Sequence, residues 1–454
     1  ELGGNVWHNA DLLEEINYLV EYPTPLYGRI DEEFLKLPVP AVVTPMRDHQ
    51  RYYPVRNEDG SLMPYFLTVR NGGTKAIHNV QIGNERVLRA RLDDAKFFFE
   101  NDRKKSLEGH REDLTRINYQ EGMGTMLDKA DRLQKLSDFI CDGWNLSADE
   151  KADAERAAYL SKSDLATGMV TEFTELQGEM GKEYALLDGE KKNVAQAIFE
   201  QYMPRFAGDI LPQESIGRVL SMADKLDNLA ATFLRGLIPT GSQDPFALRR
   251  QTIGAVNILT DGGIHWDIRE GIRKALELLP GEKEAKETAL GQIEEFFRQR
   301  IKAIMLDEGI AYDIIDAVLA GPVDDIEALF LKARAMAESQ LKDETDLRQA
   351  VTRLANITKD KEGGAVDPSL FEVEYEKNLQ AALDEVKAEV LPLYKEYQYG
   401  KALASLKKLT APINDYLDNV MVMVDDEKVK ANRVSQLISA LDLFRAWGDF
   451  SKLV

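Results

Sequence analysis

The sequence predicts a mainly α-helical protein with a small α+β portion at its N-terminus. Its 454 residues are 44% hydrophobic, which is typical of a globular fold, and this length favours two to four domains over a single core. From about Leu114 onward, apolar residues recur at helical spacing in segments that glycine and proline separate. Strands and helices do not alternate along the chain, so a parallel nucleotide-binding sheet is not expected.

The first hundred residues combine a helical pattern with a hairpin pattern. Residues 11–21 carry apolar side chains at helical spacing, which predicts a helix. Residues 41–55 and 65–69 are rich in valine, tyrosine and phenylalanine, and the turn sequence Asn-Glu-Asp-Gly at 57–60 lies between them. Two such runs joined by a turn sequence predict a β-hairpin.

Changes of pattern divide the chain into four expected domains. A loop at 362–365, with the sequence Glu-Gly-Gly-Ala, precedes the last helical block. We expect an α+β domain at 1–112, a helical domain at 113–275, a helical connecting domain at 276–360 and a second helical domain at 361–454. Two apolar clusters, Phe97–Phe99 and the pair Met421 and Met423, have the spacing of buried faces and are expected in the core.

Charge and cysteine content restrict the classes of function. The formal charge is −21, which argues against a basic nucleic-acid binder held mainly by counterion release, although a local basic groove is compatible with it. Cys141 is the only cysteine and the five histidines lie far apart, so neither a disulfide framework nor a metal site is expected. No apolar run approaches the roughly 18 residues of a membrane span, and no signal-peptide pattern is visible. We expect a cytoplasmic protein that does not contact membranes.

Motifs for nucleotide chemistry are absent from the sequence. There is no GxxxxGK[ST] phosphate loop, no GxGxxG after a strand and no serine-centred nucleophile elbow. We therefore predict no catalytic residue and no bound cofactor in this chain.

Residues 157–165 resemble the metal-binding helix of His-Asp phosphohydrolases, in which a consecutive His-Asp pair binds a divalent metal. Ser161 and Lys162 stand in the place of that pair, and an ammonium has no lone pair to offer a metal. Asp224 resembles the last metal aspartate of the same superfamily, while 126–136 contains no histidine. Asp224 is therefore expected either as a helix-surface or capping residue, or in a vestigial site with a salt bridge to Lys162; a live metal site is the least favoured alternative.

Long motifs throughout the chain resemble the beta subunits of bacterial tetrameric glycyl-tRNA synthetases. The motifs include Ser-Lys-Ser-Asp-Leu followed by Met-Val-Thr-Glu-Phe-Thr-Glu-Leu-Gln-Gly, and Asp-Pro-Phe-Ala-Leu-Arg-Arg. Together they occupy residues 46–53, 89–98, 160–165, 169–181, 223–227, 239–242, 244–250, 418–423 and 432–451. The resemblance implies a C-terminal portion of such a subunit, without the family's extreme N-terminal part.

The resemblance also implies an architecture, partners and a division of labour. In this family the alpha subunit makes glycyl-adenylate, so ATP and magnesium are expected at alpha and not on this chain. The beta subunit binds tRNA-Gly in a tetramer of two alpha and two beta chains. Its helical part consists of a degenerate His-Asp (HD-like) domain followed by an anticodon-binding bundle like that of arginyl-tRNA synthetase. An HD-type metal phosphohydrolase and a non-catalytic scaffold are the alternatives.

Six basic residues are the candidates for tRNA contact, because guanidinium and ammonium groups match phosphate oxygens and unstacked loop bases. They are Arg433, Arg249, Arg250, Arg51, Arg89 and Lys430. Arg249 and Arg250 follow a turn-rich loop and are alternatively expected to pair with local acids such as Asp244 or to contact another subunit. Arg433 is alternatively expected to pair with Asp425 or Asp426.

Overall fold

The computed structural model describes residues 3–339 and 344–453, which form two compact units. The first comprises the chain up to Ala231 together with Glu277–Pro280, and the second comprises Thr232–Leu276 and Gly281 onward. Helices dominate both units, which confirms the mainly α class with a small N-terminal sheet. None of the described helices is long and apolar enough to cross a membrane.

The sheet of the first unit is antiparallel and has the strand order β1-β3-β4-β2. The predicted hairpin is present, since β3 and β4 pair across the turn at 57–61. Its first strand is shorter than predicted, because 39–49 is helical. Pro40 lies in the first turn of that helix, where its missing N–H costs no hydrogen bond. The strands are β1 (Asn5–Val6), β2 (Pro23–Arg29), β3 (Tyr53–Arg56) and β4 (Leu62–Asn71).

Ten α-helices begin in the described part of the first unit, and the helix predicted at 11–21 is among them. Thr125 and Ser147 start two of the others with capping boxes, in which the hydroxyl accepts from the third backbone N–H and an acid accepts from the cap N–H. The helices are α1 (Ala10–Leu19), α2 (Val39–Thr44), α3 (Ile77–Asp102), α4 (Leu107–His110), α5 (Met126–Gly143), α6 (Ala148–Leu160), α7 (Gly168–Glu172), α8 (Glu179–Leu187), α9 (Lys192–Glu200) and α10 (Ser215–Leu234).

The described part of the second unit is helical, apart from its loops. Its C-terminal part packs α17 against α18 and α19, and α16 against α20. The helices are α11 (Leu248–Asp261), α12 (Ile268–Glu277), α13 (Lys283–Asp307), α14 (Tyr312–Val318), α15 (Ile326–Glu338), α16 (Thr345–Thr358), α17 (Glu374–Lys395), α18 (Tyr399–Leu406), α19 (Thr410–Asn419) and α20 (Glu427–Arg445).

Two predictions of burial are wrong. Phe97 is 64% exposed, because the core face of α3 consists of Leu88, Leu92 and Ala95, and Phe97 lies on another face. Met421 and Met423 are 73% and 46% exposed, because they lie in the loop between α19 and α20 and not on a helix face. Apolar spacing over so few residues does not distinguish a buried face from an exposed one.

Candidate functional site

Lys162 and Asp224, which lie far apart in sequence, form an ion pair inside the first unit. The Lys162 Nζ lies 3.0 Å from Asp224 Oδ1, and both residues are buried. Lys162 follows the end of α6 with a φ of +67°, in the left-handed region that costs a non-glycine residue about 1–2 kcal/mol. The predicted salt bridge is therefore present, and Asp224 is not a surface residue.

Lys129 and Arg132 of α5 extend this pair into a buried charge cluster. The Lys129 Nζ lies 3.1 Å from the same Asp224 oxygen and 2.8 Å from Asp227 Oδ2. Arg132 donates from Nε to Asp227 Oδ1 at 2.6 Å and from Nη2 to Asp227 Oδ2 at 3.2 Å. We call these five residues the buried charge cluster, and it joins α5 and the segment after α6 to α10.

The cluster keeps its carboxylates ionised. Burial alone would raise the pKa of Asp224, but the ammoniums of Lys129 and Lys162 outweigh it and hold this pKa well below its usual range. The pKa of Asp227 is lowered in the same way, against burial, by Lys129 and Arg132. The Lys162 Nζ also lies 4.0 Å from the ring centroid of Tyr202, and burial lowers the pKa of Lys162.

This arrangement is unfavourable for a metal ion. Two ammoniums and a guanidinium occupy the space around the carboxylates, and cations there repel a divalent ion. The Ser161 hydroxyl donates to Ala158 O at 2.7 Å, which directs it back into the end of α6. Among the residues that the structure describes, no group of three His, Cys, Asp or Glu side chains is placed to hold a metal.

Lys129, Arg132 and Asp227 were not predicted as site residues from the sequence. Their burial could have been inferred for Lys129 and Arg132, because they alternate with the buried residues Ala130 and Leu133 on the inner face of α5. A charged residue at such a position needs a buried partner. Asp227 stands three residues after Asp224 on α10, so both carboxylates lie on the same face of that helix.

Lys225 is buried beside the cluster and donates to Met203 O at 2.6 Å and to Ser221 Oγ at 2.7 Å. Burial lowers its pKa from 10.5 to about 7, with Asp224 opposing the shift. Between pH 7 and 10 the unfolded chain therefore binds more protons at this site than the folded chain. Folding stability contributed by this residue rises with pH across that window.

Replacing Lys225 by methionine is expected to remove this pH dependence. When the pH is lowered from 9 to 7, the unfolding free energy of the wild type should fall by about 2 kcal/mol more than that of the variant. Met203 O keeps its hydrogen bond from Ser221, so the carbonyl is not left without a donor. Urea denaturation of both proteins at the two pH values measures this shift. A difference that does not change with pH would contradict the lowered pKa.

The structure places Arg433 in the interior of the C-terminal bundle, where its side chain is 5% exposed. Its Nε donates to Glu376 Oε1 at 2.9 Å, its Nη2 to Glu372 Oε2 at 2.8 Å and its Nη1 to Met421 O at 2.9 Å. The expected pairing with Asp425 or Asp426 is wrong, since the acids come from α17 and the loop that precedes it. With its guanidinium directed at these acceptors, Arg433 is placed to connect α17 and α20 with the loop between α19 and α20, which contains Met421 and Met423 and is called the methionine loop.

The other five candidates have at least partly exposed side chains and are divided between the two units. Arg51 pairs with Glu15 at 2.5 Å and Arg89 pairs with Asp31, and all four residues belong to the first unit. In the second unit, Lys430 pairs with Glu427 at 3.1 Å. The remaining candidates, Arg249 and Arg250, lie in the first turn of α11.

Arg249, the neighbour of Arg250 in sequence, lies close enough to a third arginine, Arg300 of α13, for their charges to interact. Asp244 accepts from the backbone N–H groups of Leu248 and Arg249 at 2.8 and 2.9 Å, so its carboxylate caps α11. Burial and then the positive charge of Arg249 lower the pKa of Arg300. Arg250 is exposed, and its side chain has no hydrogen-bond or ion-pair partner among residues 3–339 and 344–453. These three arginines form the arginine surface of the second unit.

Two models of known protein families match this chain. Residues 347–445 match the model of the DALR anticodon binding domain, a module of tRNA-binding proteins, and these residues include most of the C-terminal bundle. Residues 1–320 match the model described as glycyl-tRNA synthetase beta subunit. The chain belongs to the glycyl-tRNA synthetase beta-subunit family.

Individual relatives agree with this assignment. The glycine–tRNA ligase beta subunit of Clostridioides difficile is 46% identical over 454 residues, which is 100% of this chain and 66% of that protein. The beta subunits of Desulforamulus reducens and Halothermothrix orenii are 43% and 44% identical, over 100% and 96% of this chain and 66% and 63% of theirs. The chain thus spans slightly less than two thirds of the length of these relatives.

Proposed function

We propose that this chain is the tRNA-binding part of a glycine–tRNA ligase beta subunit, supporting ATP-dependent attachment of glycine to tRNA-Gly. The observation that carries the proposal is the family match, which extends across the chain and includes an anticodon-binding domain. Adenylate formation, with its ATP and magnesium, takes place on an alpha subunit, in an assembly of two alpha and two beta chains. The chain itself contributes binding and no catalytic residue.

The helical core of the first unit is a degenerate HD domain. The support is the buried charge cluster, in which Lys162 stands where the HD superfamily has a metal-binding aspartate and Asp224 is retained. The ammoniums of Lys129 and Lys162 lie at 3.1 and 3.0 Å from Asp224 Oδ1, so fixed cations take the role of a metal ion. The same observation disfavours a metal phosphohydrolase.

The arginine surface is the best-supported contact for RNA phosphates. Among the described residues the Arg250 guanidinium has no hydrogen-bond or ion-pair partner, and the adjacent Arg249 interacts with the positive charge of Arg300. Arg51, Arg89 and Lys430 are secondary contacts, because each is already paired with a surface carboxylate. Binding a phosphate requires breaking that ion pair, which costs about 0–1 kcal/mol. Arg433 is assigned a structural role.

Glycylation with the alpha subunit tests the proposal directly. The chain, purified alpha subunit, ATP, glycine and tRNA-Gly are mixed, and charged tRNA is measured by acid gel, with alpha alone as control. A parallel filter-binding titration compares tRNA-Gly with a second tRNA. Binding that prefers tRNA-Gly supports the proposal. Equal affinity for both tRNAs, or manganese-dependent phosphodiesterase activity of the purified chain, would refute it.

Replacing Arg250 by alanine is expected to weaken binding of tRNA-Gly by about fivefold at 0.15 M salt. One lost phosphate contact lowers the slope of log K against log salt concentration by about 0.9. Arg273→Ala is the matched control, because Arg273 is an exposed arginine of the same unit that is engaged with Glu270. Filter binding across a salt series measures both quantities. An unchanged slope for Arg250→Ala would remove Arg250 from the interface.

A further inference from the structure

A cavity of about 680 Å³ lies within the second unit. It is bounded by α15, α16, the loop after α14 and the end of α20 with the residues that follow it. This volume is in the range of small-molecule sites in proteins, so it has room for a whole nucleotide and not only for a small ion. None of the six basic residues singled out from the sequence lines it.

The walls of this cavity are held by specific contacts. The Asp449 backbone N–H donates to Ala317 O at 2.8 Å, which ties the segment after α20 to α14. Gly448 has a φ of +149°, and a Cβ there would overlap Ala317 O, so only glycine permits this approach. In the loop after α14, Leu319 O and Gly321 O accept hydrogen bonds from Arg298, the latter at 2.9 Å. These contacts fix the positions of the segments that line the cavity.

Two lysines at the cavity lack a carboxylate partner. Lys332 of α15 and Lys359 at the end of α16 both line it, and among the described residues neither lies within ion-pair distance of an acid. The chain has 78 acidic and 57 basic residues, so acids are in excess for pairing. Burial lowers the pKa of Lys332, and the nearby carboxylates of Asp324 and Asp325 oppose this shift. The lining carries three basic residues, Lys332, Lys359 and Arg445, against two acidic ones, Asp324 and Asp449, and this excess of positive charge favours an anion.

Both acids of the cavity accept local hydrogen bonds from backbone N–H groups. Asp449 Oδ1 accepts from the Ser451 hydroxyl at 2.6 Å and from its backbone N–H at 3.1 Å. Asp324 Oδ1 accepts from the Asp325 backbone N–H at 2.8 Å. Asn356, which is exposed on α16, adds amide donors to the same lining.

We propose that this cavity binds a phosphate group of the RNA that the chain recognises, with Lys332 and Lys359 as its ligands. Ammonium groups bind phosphate oxygens as point charges and do not require the fork geometry of arginine. The cavity volume accommodates the attached ribose or base. This inference rests on the proposed function, because it assigns a second RNA contact in the second unit, apart from the arginine surface.

Lysine-to-glutamine variants test the assignment. Lys332→Gln and Lys359→Gln each remove one charge and are expected to weaken tRNA-Gly binding by about fivefold at 0.15 M salt, and the double variant by about 25-fold. The matched control is Lys401→Gln, since Lys401 is an exposed lysine of the same unit whose Nζ donates to the neutral Gln398 and which lies outside the cavity. Thermal unfolding of each variant verifies folding. Lys359 is exposed, so Lys359→Gln decides the outcome if Lys332→Gln fails to fold.

Two results would overturn the inference and distinguish it from failure of the proposed function. If wild type binds tRNA-Gly and the folded double variant binds it equally well, the cavity does not hold an RNA phosphate. Calorimetric titration of the wild type with inorganic phosphate tests whether the cavity binds a free anion instead. Saturable phosphate binding, together with unchanged tRNA affinity of the double variant, would show a site for free anions only. If wild type itself does not bind tRNA-Gly, the proposed function is wrong.

Discussion

Replacing Asp227 by alanine is expected to destabilise the first unit by about 3–5 kcal/mol, since it leaves buried cations without their partner. Lys129 would keep Asp224 and the neutral Asn228 Oδ1 at 2.9 Å, and Arg132 would keep its bond to Met123 O at 3.2 Å but no carboxylate partner. Neither cation can reach water without opening the contact between α5 and α10. The loss should appear in urea denaturation monitored by circular dichroism.

A surface aspartate provides the control for this experiment. Asp131 lies on α5 and pairs with Arg111, but it is half exposed, so Asp131→Ala is expected to change stability by about 1 kcal/mol or less. A double-mutant cycle of Asp227→Ala with Arg132→Ala should show strong coupling. If Asp227→Ala and Asp131→Ala destabilise equally, the buried charge cluster does not hold these helices together.

The lowered pKa of Asp227 also predicts how folding stability changes as the pH falls. Because the folded pKa of Asp227 is lowered, its stabilising contribution is complete above the unfolded pKa of about 4 and is lost as pH falls below it. Asp227→Asn removes this contribution at every pH. Variant and wild type should therefore differ less in stability at pH 3 than at pH 7.

Replacing Arg433 by alanine is the second substitution with a large expected effect, about 3–5 kcal/mol on the second unit. Glu376 is buried and would lose its countercharge, and the methionine loop would lose the donor to Met421 O. Arg445→Ala is the control on the same helix, because Arg445 is exposed and pairs only with Asp442. It should change stability by about 0.5 kcal/mol or less.

The tRNA affinity of folded Arg433→Ala separates a structural role from a direct one. At a temperature where the variant is folded by circular dichroism, we expect its affinity for tRNA-Gly to stay within twofold of wild type. A loss of tenfold or more in the folded variant would show that Arg433 contacts RNA or positions a loop that does. The conservative Arg433→Lys variant should retain part of the stability, since an ammonium replaces only some of the guanidinium's bonds.

Local patterns in the sequence were enough for the fold class and for part of the site. Helical spacing predicted α1 and the helical remainder of the chain, and the turn at 57–60 predicted the β3–β4 hairpin, because these depend on neighbours a few residues away. Motifs offered the Lys162–Asp224 salt bridge as one of two alternatives, and the structure contains it. The helix at 39–49 was missed because a short apolar run followed by tyrosines is ambiguous between helix and strand.

Tertiary structure alone decided which charged and apolar residues are buried. Arg433 and Met421 lie in motifs only nine residues apart, yet the methionine is exposed and the arginine is interior. The arginine is interior because Glu376 of α17 and Glu372 of the loop before it, more than fifty residues away, accept its hydrogen bonds. Lys129, Arg132 and Asp227 are likewise brought together by the packing of α5 and α10. The sequence by itself determined the family, the helical class and the absence of nucleotide motifs. Which cations are paired internally, and which remain for a ligand, depends on partners that only folding brings within reach.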